Sequence, residues 1–151
     1  MSTITVPQGT SYVAGSLLST VFLLTWQTIQ VSKYRKLAGV PYPRLYAEKA
    51  EMDTSPAAVK FNCVQRAHAN TLENIPTVYL MTILVGIKAP VVAASALGAW
   101  VISRIAYTNG YASGNPAQRH NLIGRLTYLP STLTLFLGSI WSVYNLIADG
   151  I

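Results

Sequence analysis

Residues 61–76, with the sequence FNCVQRAHANTLENIP, form a polar stretch in a chain that is otherwise strongly hydrophobic. Within this stretch Arg66, Asn70 and Glu73 are spaced at i, i+4 and i+7. At about 100° per residue in an α-helix, their side chains lie within about 60° of one another on one face. A cation, an amide and a carboxylate on one face, at the edge of a membrane segment, indicate either a solvated helix end or a binding site for a small zwitterion.

The composition indicates a membrane protein with a single domain over residues 1–151. Hydrophobic residues make up 51% of the chain and charged residues only 11%, whereas ordinary soluble domains carry about 25% charged residues. The net charge of +6 is not arranged as a basic surface interleaved with aromatic residues, so we predict no nucleic-acid partner. The single Cys63 excludes an intrachain disulfide. We predict no metal site, because His68 and His120 lack further ligands.

Four apolar segments predict four transmembrane helices. An α-helix rises about 1.5 Å per residue, so about 20 residues cross a hydrocarbon core of about 30 Å. The N-terminus has no basic region and no clear cleavage site, so we expect the first span, rather than a removable signal peptide, to direct insertion. The fold class is therefore all-α, an integral membrane four-helix bundle, with spans at residues 11–34, 58–87, 91–113 and 118–148.

The connection from Leu37 to Pro56 is predicted to be an extended loop in water. Pro41 and Pro43 prevent a continuous helix there, and the loop carries three acidic residues. Pro76 lies inside the second predicted helix, where a membrane bundle tolerates it as a kink.

The distribution of cations predicts the orientation of the chain. Only Lys88 lies near the second connection. The positive-inside rule therefore places the first and third connections in the cytosol and both termini in the lumen or outside. The cations that flank the first connection are Lys33, Arg35, Lys36, Arg44, Lys49, Lys60 and Arg66, and those that flank the third are Arg104, Arg119 and Arg125.

The third predicted helix adds a second polar face on the same side of the membrane. Arg104, Tyr107 and Tyr111 are spaced at i, i+3 and i+7, again within about 60° of one another. Tyr107 alone would be interpreted as an interfacial anchor, but an arginine this deep in a span needs a partner. Together with Arg66, Glu73 and Arg119, these residues predict a site of net positive charge, which suits an anionic ligand or a thiolate.

The polar stretch strongly resembles the signature of the MAPEG family, the membrane-associated proteins in eicosanoid and glutathione metabolism. The resemblance extends through residues 104–107 and 114–119, and it touches all four predicted helices. It implies a homotrimer of four-helix subunits that binds glutathione between neighbouring subunits, near the cytosolic interface and surrounded by membrane lipid. By position, the residues that would bind glutathione from one subunit are Arg66, Asn70, Glu73, Arg104, Tyr107 and Tyr111, and those from the adjacent subunit are Arg35 and His68.

The helical spacing of His68 agrees with this division. His68 lies about 200° round the helix from Arg66, so its side chain must face elsewhere. Cys63 is interpreted as a packing residue rather than a nucleophile. Asn74 and Ile75 stand where relatives often carry an aromatic residue, and Lys36 stands where relatives place a second cation.

Arg119 matches the catalytic arginine of the family. A thiol with a pKa of about 8.5 is mostly protonated at neutral pH, and an adjacent guanidinium favours the thiolate. The helix start predicted after Pro116 would add its N–H dipoles to the positive field. The resemblance therefore implies a glutathione transferase or glutathione-dependent lipid peroxidase, in which the thiolate attacks a lipophilic electrophile or a lipid hydroperoxide. Conjugation of the leukotriene type is included. The expected membrane is that of the endoplasmic reticulum, with the outer mitochondrial membrane as the alternative.

Two functions from other classes stay open. A catalytically silent membrane adaptor of the MAPEG type would keep the fold without turnover, although Arg119 and the complete polar set favour an enzyme. A channel or transporter is disfavoured, because no predicted span is broken at mid-membrane and the polar residues gather at one end.

Overall fold

The structure is a computed structural model that describes residues 8–150, and four long helices in it pack against one another as a bundle. The all-α prediction is confirmed. The prediction that the chain lacks a removable signal peptide rests on the N-terminal residues, of which 1–7 lie outside the described part. The long helices are α1 (Thr10–Ala38), α3 (Pro56–Lys88), α4 (Pro90–Ala112) and α5 (Leu122–Ala148), and the short elements are α2 (Lys49–Thr54) and a 3₁₀ turn (Pro116–His120).

Three of the helices within residues 8–150, namely α1, α4 and α5, are long and apolar enough to cross a membrane. Their outer faces expose large apolar side chains, among them Phe22, Leu129 and Leu137. In water such faces would be costly, whereas lipid solvates them. α3 has 33 residues, but its polar first half sets it apart from the other three, and its crossing of the membrane stays a prediction.

Local signals fix the helix ends near the site. α1 extends past the predicted end at residue 34 and stops at Gly39, whose φ of 67° is a left-handed helix cap. α5 begins at Leu122 rather than at residue 118, because the Asn121 side chain accepts a hydrogen bond from the Gly124 amide at 2.8 Å. The predicted first residues of that helix form the separate 3₁₀ turn.

The connection between α1 and α3 contains a helix, α2, where the sequence predicts an extended loop. The Glu51 side chain stabilises the start of α2. Its carboxylate accepts a hydrogen bond from the Glu48 amide at 2.7 Å and two more from the Arg44 guanidinium, at 2.9 and 3.0 Å. The Arg44 guanidinium holds the pKa of the Glu51 carboxyl below its ordinary value, and the Glu48 amide adds to this effect. The prolines at 41 and 43 restrict only the part of the connection that precedes α2.

A buried polar network joins α1, α3 and α4 inside the bundle. The fully buried Gln27 amide donates to the hydroxyls of Thr71, at 2.9 Å, and Thr108, at 2.8 Å. Each hydroxyl in turn donates to a carbonyl of its own helix, that of Ala67 or Arg104. Polar bonds of this kind hold helices together where no hydrophobic effect acts between them. They fix the relative positions of the helices that carry the polar residues.

The α2 connection is expected to lose order at acidic pH. Because the folded pKa of Glu51 is lowered, its contribution to stability is complete above the ordinary pKa of 4.5 and is lost as the pH falls through the lowered folded value. Amide hydrogen exchange across residues 44–54 would measure this. Glu51→Gln should exchange rapidly at every pH, whereas Asp53→Asn should behave like the native chain. Equal protection in both variants would contradict the assignment.

Candidate functional site

One cavity of about 460 Å³ lies among the polar end of α3, the second half of α4, the 3₁₀ turn and the first turns of α5. All four elements contribute polar side chains, as the sequence predicts for α3 and α4. Its lining contains no carboxylate. The residues that line it are Asn70, Asn74, Ser103, Arg104, Tyr107, Arg119, His120, Gly124, Arg125, Tyr128 and Leu129.

Arg104 is the buried cation of this cavity, with only 5% of its surface exposed. One guanidinium nitrogen donates to the Asn70 side-chain oxygen at 2.9 Å. The guanidinium carbon lies 4.6 Å from the centre of the Tyr107 ring, 4.7 Å from that of Tyr128 and 5.6 Å from that of Trp100. Within residues 8–150 it forms no ion pair, and its Nε has no hydrogen-bond partner.

An arginine in this environment has an electrostatic requirement that the chain does not meet. Removing a charge from water costs several kcal/mol even after the protein relaxes. Cation–π contacts return about 2 kcal/mol at desolvated sites, and the bond to Asn70 returns about 1.5–3 kcal/mol. The balance favours an anion in the cavity beside Arg104.

Glu73, the acid that the sequence places near Arg104, pairs with Arg66 instead. Two hydrogen bonds join the two side chains, at 2.6 and 3.3 Å, along the face of α3 predicted from their spacing. Both side chains are about half exposed, so the pair contributes little to stability. Neither residue is among those that line the cavity. The pair therefore leaves the charge of Arg104 uncompensated.

Arg119 lies on the 3₁₀ turn and lines the cavity. Its guanidinium donates to the Pro116 carbonyl at 2.9 Å and lies 5.6 Å from the centre of the Tyr111 ring. Tyr111 in turn meets Tyr107 edge to face, with ring centres 5.1 Å apart. The two tyrosine rings predicted on one face of α4 therefore link the two arginines: Arg104 contacts the ring of Tyr107, and Arg119 contacts that of Tyr111. Because α5 starts only at Leu122, Arg119 precedes that helix instead of lying in its first turn.

Gly110 allows the 3₁₀ turn to approach α4. A Cβ atom at Gly110 would overlap the carbonyl group of Gln118 and would lie 3.1 Å from the Cα of Arg119. Only a residue without a side chain fits this contact. The position of Arg119 is thus set by direct contact of its backbone with α4.

Arg35 and His68 lie outside the cavity, in contacts within their own chain. Arg35 is buried, and its guanidinium donates to the Arg44 carbonyl at 2.6 Å; the rings of Tyr42 and Phe61 flank it. His68 faces Gln27 of α1, with 3.3 Å between Nδ1 and the amide oxygen. Their role toward a neighbouring subunit stays a prediction.

Several cavity residues were not predicted from the sequence. Asn74 departs from the aromatic residue that relatives often carry, yet it lies one helical turn after Asn70 and lines the cavity. The start of α5 reads as an ordinary apolar helix in which Arg125 and Tyr128 carry no distinctive spacing. The signal that identifies them is the arrangement of the 3₁₀ turn, which brings the first turns of α5 to the cavity. The other residues missed are Ser103, His120, Gly124 and Leu129.

A comparison with known protein families matches residues 13–141 to the MAPEG family. The match covers most of the chain. It reaches all four long helices and includes every residue that lines the cavity.

Gly110→Ala is expected to destabilise the protein by about 1–3 kcal/mol, because the new methyl group must displace backbone of the 3₁₀ turn. Thermal unfolding in detergent would measure the change. The matched control is Gly98→Ala in the same helix, where the added methyl group meets nothing within 4 Å. That variant should gain about 0.5–1 kcal/mol from the lower entropy of alanine in the unfolded chain. Similar melting temperatures for the two variants would contradict the proposed contact.

Proposed function

The chain belongs to the MAPEG family, and on that premise we propose that this integral membrane protein is a glutathione transferase or glutathione-dependent lipid peroxidase. One observation carries the proposal: the buried Arg104, without a carboxylate partner among residues 8–150, shares a cavity with Arg119. Two cations without counter-charges suit a ligand that brings a carboxylate and a thiolate. Glutathione, the tripeptide used in this family, carries both.

The polar residues offer glutathione a complementary set of groups. Arg104 would bind a carboxylate, and the amide of Asn70, which already accepts a hydrogen bond from it, would orient the guanidinium. The Arg66–Glu73 pair presents one charge of each sign at the surface, and the α-amino acid end of glutathione carries the same two charges. Arg66 could therefore bind the carboxylate of this end in place of Glu73, and Glu73 could bind its amino group in place of Arg66. Tyr107 and Tyr111 would provide ring faces and hydroxyls.

Arg119 would hold the thiol as its reactive anion. A guanidinium within hydrogen-bonding distance of sulfur stabilises the thiolate relative to the thiol. With an epoxide, the C–S bond forms as the ring C–O bond breaks, and the alkoxide takes a proton. With a hydroperoxide, sulfur bonds to the terminal oxygen as the O–O bond breaks, which gives a sulfenic acid and an alkoxide that takes a proton to become the alcohol. A second glutathione then displaces water from the sulfenic acid and forms the disulfide.

The family and the charge pattern support a proposal for the assembly and location. We propose a homotrimer in the endoplasmic reticulum or outer mitochondrial membrane, with the cavity on the cytosolic side and with Arg35 and His68 serving the site of the adjacent subunit. The exposed apolar faces of α1, α4 and α5 give a lipophilic substrate a route from the lipid. We further propose that, within the family, the stretch at residues 61–73 resembles that of microsomal glutathione S-transferase 3.

Arg104→Met is expected to separate binding from stability. Replacing an unpaired buried cation by an apolar side chain of similar length should leave the ligand-free protein equally stable or more stable. Glutathione should then no longer raise the melting temperature, because the linkage between binding and folding is lost. Thermal unfolding with and without glutathione would test both parts. Continued stabilisation of the variant by glutathione would exclude Arg104 from the binding site.

Arg119→Ala is expected to lower kcat by about 10²–10³, the range found when one electrostatic donor is removed from a reacting centre. Glutathione should still raise the melting temperature, since Arg104 and the polar residues of α3 are unchanged. Conjugation of an epoxide and reduction of a lipid hydroperoxide by detergent-solubilised protein would provide the rates.

The control for this variant is Lys49→Ala, which removes an exposed cation of α2 that does not line the cavity. It should turn over at the native rate. Unchanged turnover in Arg119→Ala would refute the mechanism. Native protein that binds glutathione but turns over neither substrate would instead be the catalytically silent adaptor.

A further inference from the structure

Arg125 is a charged residue of the cavity lining to which the proposed function gives no role. Among residues 8–150, its side chain forms no ion pair with any carboxylate. An exposed arginine near the end of a membrane helix ordinarily faces lipid head groups or water. Arg125 differs because its side chain borders the same space as the buried Arg104 and the half-buried Arg119.

The position of Arg125 on its helix is electrostatically unfavourable. Asn121 caps α5 and Leu122 is its first residue, so Arg125 stands at the fourth helical position. A cation near a helix N-terminus opposes the helix dipole, whereas an anion there is favoured. The first turn of α5 contains no acidic residue that would offset this cost. Residues that break a local rule without compensation in the fold are often retained for binding.

The charges that line the cavity exceed what the proposed binding mode neutralises. Three arginines line it and no carboxylate does. A thiolate beside Arg119 and one carboxylate of glutathione beside Arg104 leave Arg125 without a counter-charge. An unneutralised third cation at the edge of the cavity attracts a further anion.

The surface of α5 below Arg125 indicates what kind of molecule would bring that anion. Leu129, Leu133 and Phe136 follow Arg125 at i+4, i+8 and i+11, which places them within about 80° of it on the helix. All three are exposed, and Leu129 also lines the cavity. Exposed apolar side chains are ordinary on a helix that faces lipid. The alignment of these three with Arg125 also forms an apolar line along α5 that leads to the cavity. An acyl chain whose distal end lies along this face would bring its middle part into the cavity and leave its carboxylate free to bind Arg125.

We propose that Arg125 is a specificity-determining residue that binds the carboxylate of an amphipathic second substrate. The enzyme therefore prefers free acids, such as fatty-acid hydroperoxides, to their neutral esters. This inference rests on the proposed function, because it assigns the second substrate of the same cavity. The reacting group of that substrate lies near the thiolate at Arg119, and the carboxylate lies at Arg125.

The test compares a fatty-acid hydroperoxide with its methyl ester, using detergent-solubilised full-length protein and glutathione. The native protein should show a kcat/KM about tenfold higher for the acid, which corresponds to about 1.4 kcal/mol. Arg125→Gln should lose this preference by losing rate on the acid alone, and Arg125→Lys should retain part of it. Lys49→Gln, which removes an exposed cation outside the cavity, should keep the native ratio.

A second measurement separates failure of the inference from failure of the proposed function. Without glutathione, an unreactive fatty acid should raise the melting temperature of the native protein more than its methyl ester does, and Arg125→Gln should abolish the difference. Turnover with the same acid-to-ester ratio in Arg125→Gln would overturn the inference and leave the proposed function intact. Acid binding that depends on Arg125 without any turnover would overturn the proposed function and support the carboxylate site.

The ordinary role of Arg125 at lipid head groups predicts a different result. In that case Arg125→Gln would lower the rates on acid and ester equally, and only in vesicles that contain anionic phospholipid. This outcome would also overturn the carboxylate assignment. Loss of both acid binding and turnover in the native protein would overturn both proposals.

Discussion

The burial of Arg104 without a carboxylate partner among residues 8–150 is the constraint on which the arrangement of the site depends. Its charge is held by one amide and by the faces of aromatic rings, which lower its cost but do not neutralise it. The elements around it, α3, the 3₁₀ turn and α5, enclose a space in which a negative group is stabilised. The neighbouring carboxylate of Glu73 would have removed this property, and its pairing with Arg66 preserves it.

The sequence predicts the parts of this structure that depend on composition and helical spacing. The apolar segments predict the long helices, and the i, i+4, i+7 spacing on α3 correctly brings Arg66 and Glu73 to one face. Gly114 and Pro116 predict the break between α4 and α5. The resemblance to the MAPEG family, which the family match confirms, adds the expectation of a glutathione site.

Features that depend on contacts between elements could not be predicted in this way. The helix α2 depends on the side chain of Glu51, which bonds to Arg44 seven residues earlier. The position of Arg125 at the cavity depends on where the 3₁₀ turn places α5, and the 3₁₀ turn in turn occupies the space left by Gly110. Gln27 reads as one polar residue in an apolar span, and only the packing of α1 against α3 and α4 shows its partners.

The partners of Gln27 also determine the tautomer of His68. The hydroxyls of Thr71 and Thr108 donate their hydrogens to carbonyls of their own helices. Toward Gln27 they can therefore only accept a hydrogen bond, so the amide nitrogen of Gln27 must face them. The amide oxygen is then directed to His68, whose Nδ1 must carry the hydrogen. Neutral His68 therefore keeps a lone pair on Nε2. Toward any further group, Nε2 of this ring is therefore a hydrogen-bond acceptor, and it becomes a donor only when the ring gains a positive charge.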